Sequence, residues 1–403
     1  MLNNKIFYFF KNNMKDVDLY NHILFNKNSS ILKNSTLNKE NSKIYLKGLK
    51  YFYGLDCPIN YKEAYEIFSK INKELNPKNN DILILLGIMH EKGLHVQKNY
   101  KKAVEYYKKA AKNGSGKAYY HLAQLAENKI LDEEDNYDSY DNIAFNYYSE
   151  SANLGYSDAF ARIGVILEQG LLNSKKNIEN AIENFEKSVK IDNNPVGLNG
   201  LGNAYYNGSV KEKNFEMAVE YYKMAIRGGN IDALNNLGIC YEYGKGVERN
   251  NDKALELYEK AKEKGHGEGM ANYAILKIKI GIKNKNYSCF SECFKILQSS
   301  ILINKNIPEV YYYIGLMYEI GIDLFEDGNI IKNPYLAFVN YKKAAELDYS
   351  KAYTKIGISL FNGIEGVFLH NEKASISMLE KAVEKGDEDA KKYLDYIKSH
   401  IKK

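Results

Sequence analysis

Two short patterns in the chain contain residue types that could ligate a metal ion. His90 and His95 lie in HEKGLH, which departs from the zinc-binding sequence H-E-x-x-H by one residue of spacing. A glycine of the helix-ending type lies between them, so the two histidines would not share a helix face. Cys289 and Cys293 are at i and i+4, but no further Cys or His lies at ligand spacing. We therefore interpret the cysteines as packed thiols, and we predict neither a metal nor a cofactor.

Two further segments could bind calcium or phosphate. The acidic loop DEEDNYDSYDNI, residues 132–143, has Tyr137 and Ile143 where an EF-hand requires glycine and glutamate. NGSGKAYY, residues 113–120, contains Gly-Lys but lacks the other glycine and the hydroxyl residue of a phosphate-binding loop. We interpret the first as a solvated loop and the second as a turn between helices. No residue lies in a recognisable nucleophile or acid–base setting, so we predict that the protein is not an enzyme.

The composition is typical of an ordered helical protein. The 403 residues are 45% hydrophobic and 27% charged, with 5 prolines. A chain of this length is too long for one ordinary compact core. The net charge of +5 is spread along the chain, so we predict no nucleic-acid partner. No apolar run approaches the ~18 residues of a transmembrane segment. Four cysteines are too few for a disulfide framework in this length, which favours a cytoplasmic location.

Pairs of glycines six residues apart recur along the chain and order it into repeats. The first glycine of each pair lies inside one helical pattern, and an alanine marks a second helix some 15 residues later. Both marks give the same nine copies, with Ala123 and Ala274 in place of the first glycine in two of them. The first glycines, here named packing glycines, are Gly48, Gly87, Gly164, Gly202, Gly238, Gly315 and Gly357. The alanines include Ala103, Ala218, Ala254 and Ala337.

These glycines need a physical reason, because each costs a helix about 1 kcal/mol relative to alanine. We expect each packing glycine to lie where two helices come closest, opposite the alanine of the second helix. The glycine six residues later is expected to end the first helix in a left-handed conformation. Two short helices cannot bury their apolar faces alone, but stacked copies can share a core. The sequence therefore predicts an all-α, right-handed α-solenoid of about nine helix-turn-helix repeats.

The copy LGICYEYGKGVERNNDKALELYEKAKEKG, residues 237–265, resembles a Sel-1-like repeat, a relative of the tetratricopeptide repeat. The resemblance extends over roughly residues 45–395 and is weak at 269–304. There Ala274 and Phe290 replace the glycine and the alanine, so the two helices of that copy are expected to lie further apart.

The repeat marks also divide the chain. We expect an N-terminal cap or partly ordered tail at 1–40, the solenoid at 41–397 and a basic tail at 398–403. The apolar stretch IFYFF, residues 6–10, is shorter than the 7–15 or so residues of a signal peptide, yet it leaves secretion or membrane association open. The long loops at 128–142 and 321–335 are additional candidates for binding.

The resemblance to tetratricopeptide-like solenoids implies that the first helix of each pair lines a concave face. Partner contacts are then expected three residues before the packing position and one and four residues after it. These positions hold Glu91, Tyr120, Gln124, Glu127, Glu168, Asn199, Asn203, Asn235, Glu242, Tyr312 and Glu319. Such an acidic, amide-rich groove would suit a basic or neutral polar segment of a protein. The alternative is that the glutamates are family consensus residues at a solvated helix end.

These expectations favour a scaffold or adaptor that binds a partner protein or peptide. Some relatives of this repeat are secreted or envelope-associated, with β-lactamase-like hydrolase activity or a role in host interaction. The chain lacks the regular cysteine pairs within each repeat that such hydrolases carry, which counts against that alternative.

Overall fold

The structure is a computed structural model that describes residues 39–74, 79–131, 137–209, 212–321, 331–364 and 369–401. Within these ranges the chain forms nineteen α-helices and no β-strand. The predicted tail up to residue 38, the segment IFYFF, the centres of the two long loops and the last two residues lie outside the described residues.

The helices of the described ranges pair into nine helical hairpins, and a final helix, α19 (Glu388–Ile401), packs on the last of them. The first helices are α1 (Lys39–Tyr53), α3 (Asn80–Lys92), α5 (Gly116–Glu127), α7 (Ser157–Gln169), α9 (Pro195–Asn207), α11 (Asp232–Tyr243), α13 (Gly267–Asn284), α15 (Pro308–Ile320) and α17 (Ser350–Asn362). The second helices are α2 (Tyr61–Glu74), α4 (Tyr100–Lys112), α6 (Tyr137–Asn153), α8 (Ile178–Asp192), α10 (Phe215–Arg227), α12 (Asn251–Glu263), α14 (Phe290–Ile303), α16 (Pro334–Glu346) and α18 (Glu372–Glu384). The predicted all-α repeat architecture is confirmed.

The chain divides after Ala233 into two compact units, and each unit is a stack of hairpins. Within a unit, each second helix packs along its own first helix and against the first helix that follows. The first unit has a continuous core around the buried rings of Tyr107 and Tyr148. The second unit has cores around Phe290 and Tyr341. Each hairpin thus completes its apolar surface with its neighbour, as expected of repeats too small to bury a core alone.

Asparagine and glycine set the helix ends. The side chain of Asn250 accepts a hydrogen bond from the backbone N–H of Lys253 at 2.9 Å, which caps the start of α12. Asparagines cap α4, α8, α10, α16 and α18 in the same way. The second glycine of each pair directly follows the first helix with a φ between +66° and +77°, which only glycine adopts at low cost. These seven glycines are Gly54, Gly93, Gly170, Gly208, Gly244, Gly321 and Gly363. Gly93, Gly170 and Gly208 have the predicted left-handed conformation, whereas Gly321 and Gly363 have ψ of 139° and 168° and differ from it.

The weak copy folds as a hairpin with exchanged packing residues. The first helix, α13, has no glycine at position 280 to end it and continues to Asn284. Gly281 therefore lies inside the helix, two turns after Ala274, where a methyl group added to it would lie 2.7 Å from the ring of Phe290. Phe290 is the residue that stands in place of the usual alanine. The ring and the glycine have moved together, which preserves a close contact between the two helices.

Candidate functional site

Each packing glycine faces a bulky side chain of the second helix. A methyl group added at Gly238 would lie 2.5 Å from a ring carbon of Tyr258, which is inside van der Waals contact. This differs from the sequence expectation, which placed Ala254 opposite the glycine. Ala254 and Tyr258 are one turn apart on the same buried face of α12, and the ring occupies the space. The facing residues at the seven packing glycines, in chain order, are Phe68, Tyr107, Phe185, Tyr222, Tyr258, Tyr341 and Leu379.

Buried tyrosines connect this packing to the predicted binding positions. The hydroxyl of Tyr258 donates to a carboxylate oxygen of Glu242 at 2.9 Å. Burial and this carboxylate raise the pKa of the Tyr258 hydroxyl, so it remains a neutral donor. The same tyrosine-to-glutamate hydrogen bond joins Tyr107 to Glu91, Tyr148 to Glu127, and Tyr341 to Glu319. Four of the five glutamates predicted to face a partner therefore accept a hydrogen bond from within their own hairpin.

A cation from the following hairpin also contacts three of these glutamates. The Nζ of Lys279 lies 2.8 Å from Glu242, and the Nζ of Lys355 lies 2.9 Å from Glu319. Arg162 pairs with Glu127 in the same way. These cations partly neutralise the predicted acidic row. Each cation lies 35 to 37 residues from its glutamate in sequence and comes from the next repeat. Each link joins two successive first helices.

Two of the repeats that contain predicted partner residues depart from this arrangement. Phe185 replaces the tyrosine opposite Gly164, so the ring at this place has no hydroxyl to donate to Glu168. Burial raises the pKa of the Glu168 carboxyl. In α9 the residue four positions after Gly202 is a tyrosine rather than a glutamate. Asn203 takes over as the acceptor, at 2.9 Å from the hydroxyl of Tyr222.

The remaining predicted positions lie largely inside the units. Tyr120 packs edge-on against Tyr148 and Tyr156, with ring centroids 5.4 Å apart in both cases. Tyr312 packs against Tyr341 and Tyr349, and burial raises the pKa of its hydroxyl to about 12. Asn199 is buried and Gln124 is partly buried. Contact of these residues with a partner stays a prediction.

The second unit contains a cavity of about 410 Å³ formed by successive first helices, here named the first-helix cavity. Its walls include Asn235 and Glu242 of α11, Asn272 and Lys279 of α13, Glu309 and Tyr313 of α15, and Tyr349 and Lys351 at the start of α17. Asn235 and Glu242, which the sequence predicted as partner contacts, both line this cavity. Sequence reasoning missed Glu309, Tyr313 and Tyr349. Tyr313 directly follows the predicted Tyr312, so a register shift of one residue along α15 would have found it.

The other chemistry-bearing residues lie apart from this cavity or are packed. All four cysteines are free thiols, and burial raises the pKa of Cys240 to about 12. His90 lies in α3 with its ring stacked on that of Tyr106 at 5.7 Å. Within the described ranges, no group of three or more His, Cys, Asp or Glu side chains could hold a metal ion. None of the described helices has the length and apolar character needed to cross a membrane.

His121 takes the place that Arg162 and Lys355 occupy in their helices, two residues before the packing position. Its ring stacks on Tyr107 with centroids 4.9 Å apart, and its Nε2 atom is buried without a hydrogen-bond partner among the described residues. Burial, reinforced by Lys117, lowers the pKa of His121 from 6.5 to about 4.

This shift predicts an acid-sensitive first unit. Between the two pKa values the unfolded chain binds more protons at His121, so the free energy of unfolding falls as the pH is lowered. From pH 7 to pH 5 this residue contributes a loss of at most about 2 kcal/mol. Urea unfolding of the wild type and His121→Phe at both pH values measures it. An equal pH dependence in both proteins would contradict the assignment.

Comparison with known proteins agrees with this architecture. The family model described as Sel1 repeat matches residues 48–71, 83–115, 141–156, 157–193, 195–230, 231–266, 308–349 and 350–387. These ranges include more than half of the chain and leave out 267–307, which contains the exchanged hairpin of α13 and α14. A search of curated proteins found no sequence match to the chain.

Among the solved structures that resemble the chain are two repeat proteins. One is a protective antigen present in uropathogenic Escherichia coli strains that displays an SLR fold. It is 19% identical to this chain, the match covers 88% of this chain and 71% of that chain, and the TM-score is 0.54. The other is a Sel1 repeat protein from Oxalobacter formigenes, with 21% identity, 76% and 97% covered, and a TM-score of 0.47. The first likeness supports an all-α repeat solenoid fold. With its repeated hairpins and the family match over more than half of its length, the chain belongs to the Sel1 repeat family.

Proposed function

We propose that this protein is a non-enzymatic scaffold or adaptor that binds a partner protein or peptide through its first helices, the face that the tetratricopeptide resemblance makes concave. Sel1 repeat proteins are typically protein-interaction scaffolds, and the family is generally non-enzymatic. The observation that carries the finer proposal is the first-helix cavity of the second unit. Its volume of about 410 Å³ falls within the range of pockets that hold small ligands, roughly 300–1,000 Å³. A cytoplasmic location is part of this proposal, and the four free thiols support it.

The cavity has the mixed chemistry of a peptide-recognition surface. Its lining includes amides, carboxylates and tyrosine hydroxyls. Several of these groups are held in place by contacts between helices: Asn272 donates to Asn235 at 2.8 Å, and Lys279 pairs with Glu242. Groups fixed before binding lose little conformational freedom when a ligand arrives, which favours affinity. Tyr243 adds an exposed aromatic ring at the edge, and such rings supply much of the energy of protein interfaces.

Affinity capture with the intact chain tests this proposal if a matched pair of variants is used. Tyr243 is 56% exposed and lines the cavity, whereas Tyr335 is 51% exposed and lies at the start of the second helix α16. We expect Tyr243→Ala to weaken binding of the captured partner at least about fivefold, and Tyr335→Ala to leave it unchanged. Affinities are measured with the purified partner by calorimetry. A partner that binds all three proteins equally well would refute the proposed surface.

A further inference from the structure

The first-helix cavity contains two deeply buried polar side chains with hydrogen-bonding capacity to spare. Tyr313 is 8% exposed, and its hydroxyl bonds to no residue of the described ranges. Asn235 is 2% exposed and accepts from Asn272 through its oxygen, while its amide nitrogen has no acceptor in the described part of the chain. Neither atom is among the polar atoms that are sealed from solvent without a partner, so both are accessible from the open cavity and can bond to a ligand that enters it.

The charges around these groups favour a cation. Glu242 is balanced by Lys279 at 2.8 Å. Glu268 and Glu309 also line the cavity, and neither forms an ion pair with any described residue. The remaining cation of the lining, Lys351, is exposed, so three carboxylates stand against two ammonium groups along the wall. The wall therefore keeps an excess of negative charge close to Tyr313.

The aromatic rings add a second feature that a cation would use. The Nζ of Lys279 lies 5.7 Å from the centroid of the Tyr243 ring, so one ring of the cavity already faces an ammonium group. Tyr313 and Tyr349 line the wall near Glu309, and burial together with neighbouring negative groups raises the pKa of both hydroxyls. A carboxylate beside tyrosine rings is a favourable setting for a lysine or arginine side chain, through charge and through the ring faces.

We infer that the first-helix cavity binds a basic side chain, arginine or lysine, that an extended segment of the partner protein presents. The cationic group lies between Glu309 and the tyrosine rings, with Tyr313 as an additional hydrogen-bond acceptor. Glu268, at the exposed edge, attracts the same charge during approach. This inference rests on the proposed function and specifies the chemistry of the partner.

A random peptide library displayed on phage and selected against the intact chain tests the inference. Selected peptides are synthesised in pairs that differ by arginine or lysine against glutamine at one position. We expect the basic peptide to bind at least about tenfold more tightly than its glutamine partner, and to lose that advantage with Glu309→Gln. The matched control is Glu256→Gln, which changes an exposed glutamate of the second helix α12 and should leave the preference intact.

The outcomes separate this inference from the proposed function. Peptides that depend on Tyr243 but show no basic preference, or whose preference survives Glu309→Gln, would overturn the inference and leave the scaffold proposal standing. A selection that yields no peptide sensitive to Tyr243→Ala would overturn both. Circular dichroism of every variant before the binding measurement shows that the helices are retained.

Discussion

Replacing Gly238 with leucine is expected to destabilise the hairpin of α11 and α12 by about 3 kcal/mol. Even a single methyl group at this position would lie 2.5 Å from the ring of Tyr258. That ring cannot move aside easily, because it is fully buried and its hydroxyl is held by Glu242. Gly238→Ala separates the packing effect from the helix propensity of the residue. Alanine favours a helix by about 1 kcal/mol relative to glycine, so it would stabilise α11 if there were open space beside position 238. We expect Gly238→Ala to destabilise. Urea unfolding followed by circular dichroism measures both variants.

A double-mutant cycle provides the control. Tyr258→Ala alone leaves a void in the core, whereas in combination with Gly238→Leu the new side chain can occupy the space of the lost ring. The double variant should therefore be more stable than the sum of the two single effects. Strict additivity, or a stabilising Gly238→Ala, would show that the ring does not limit this position.

Replacing Glu242 with alanine is expected to lower the free energy of unfolding of the second unit by about 3 kcal/mol. Glu242 is 8% exposed, and its two oxygens are used by Tyr258 and by Lys279. Its removal leaves a buried hydroxyl without an acceptor and a partly buried ammonium without a counter-charge. The loss should exceed that of Tyr258→Phe, which removes one hydrogen bond and costs about 1 kcal/mol.

The matched control for this prediction is Glu256→Ala. Glu256 forms an ion pair with Lys260 at 2.5 Å, but both side chains are more than half exposed, so its loss should change stability by no more than about 0.5 kcal/mol. Chemical denaturation of the three variants under one salt condition compares them. Equal losses for Glu242→Ala and Glu256→Ala would mean that the buried link contributes no more than a surface pair.

Local sequence rules were sufficient to predict the hairpins and their ends. The glycine at position 244 has the positive φ that the pattern required, and Asn250 caps the next helix through its own side chain. These features depend on residues within one turn, so their spacing contains the information. Nine copies of the same marks repeated the signal, which made the fold predictable even though single copies such as 269–304 were weak.

The partners of the predicted site residues could not be predicted in the same way. The sequence shows Glu242 at a helix end, but its two partners are Tyr258 on the second helix and Lys279 on the next hairpin. Which side chain fills the space beside Gly238 depends on how α12 is rotated about its axis, and spacing alone allows both Ala254 and Tyr258. The direct contacts of an apparent binding residue thus require coordinates.

The displaced pair Gly281 and Phe290 shows that a hairpin of this array can keep its close helix contact at a different position. A position-by-position description requires the small residue and the ring at fixed columns, and the family match omits the segment in which both have shifted. The contact itself survives, because loss of bulk on one helix accompanies gain of bulk on the other. A hairpin of this array can therefore keep its close contact with the small residue and the ring at other positions along its two helices. The family model, with eight matches, leaves out this one hairpin of the nine in the described ranges, and a search that allows for compensating small–large pairs would include it.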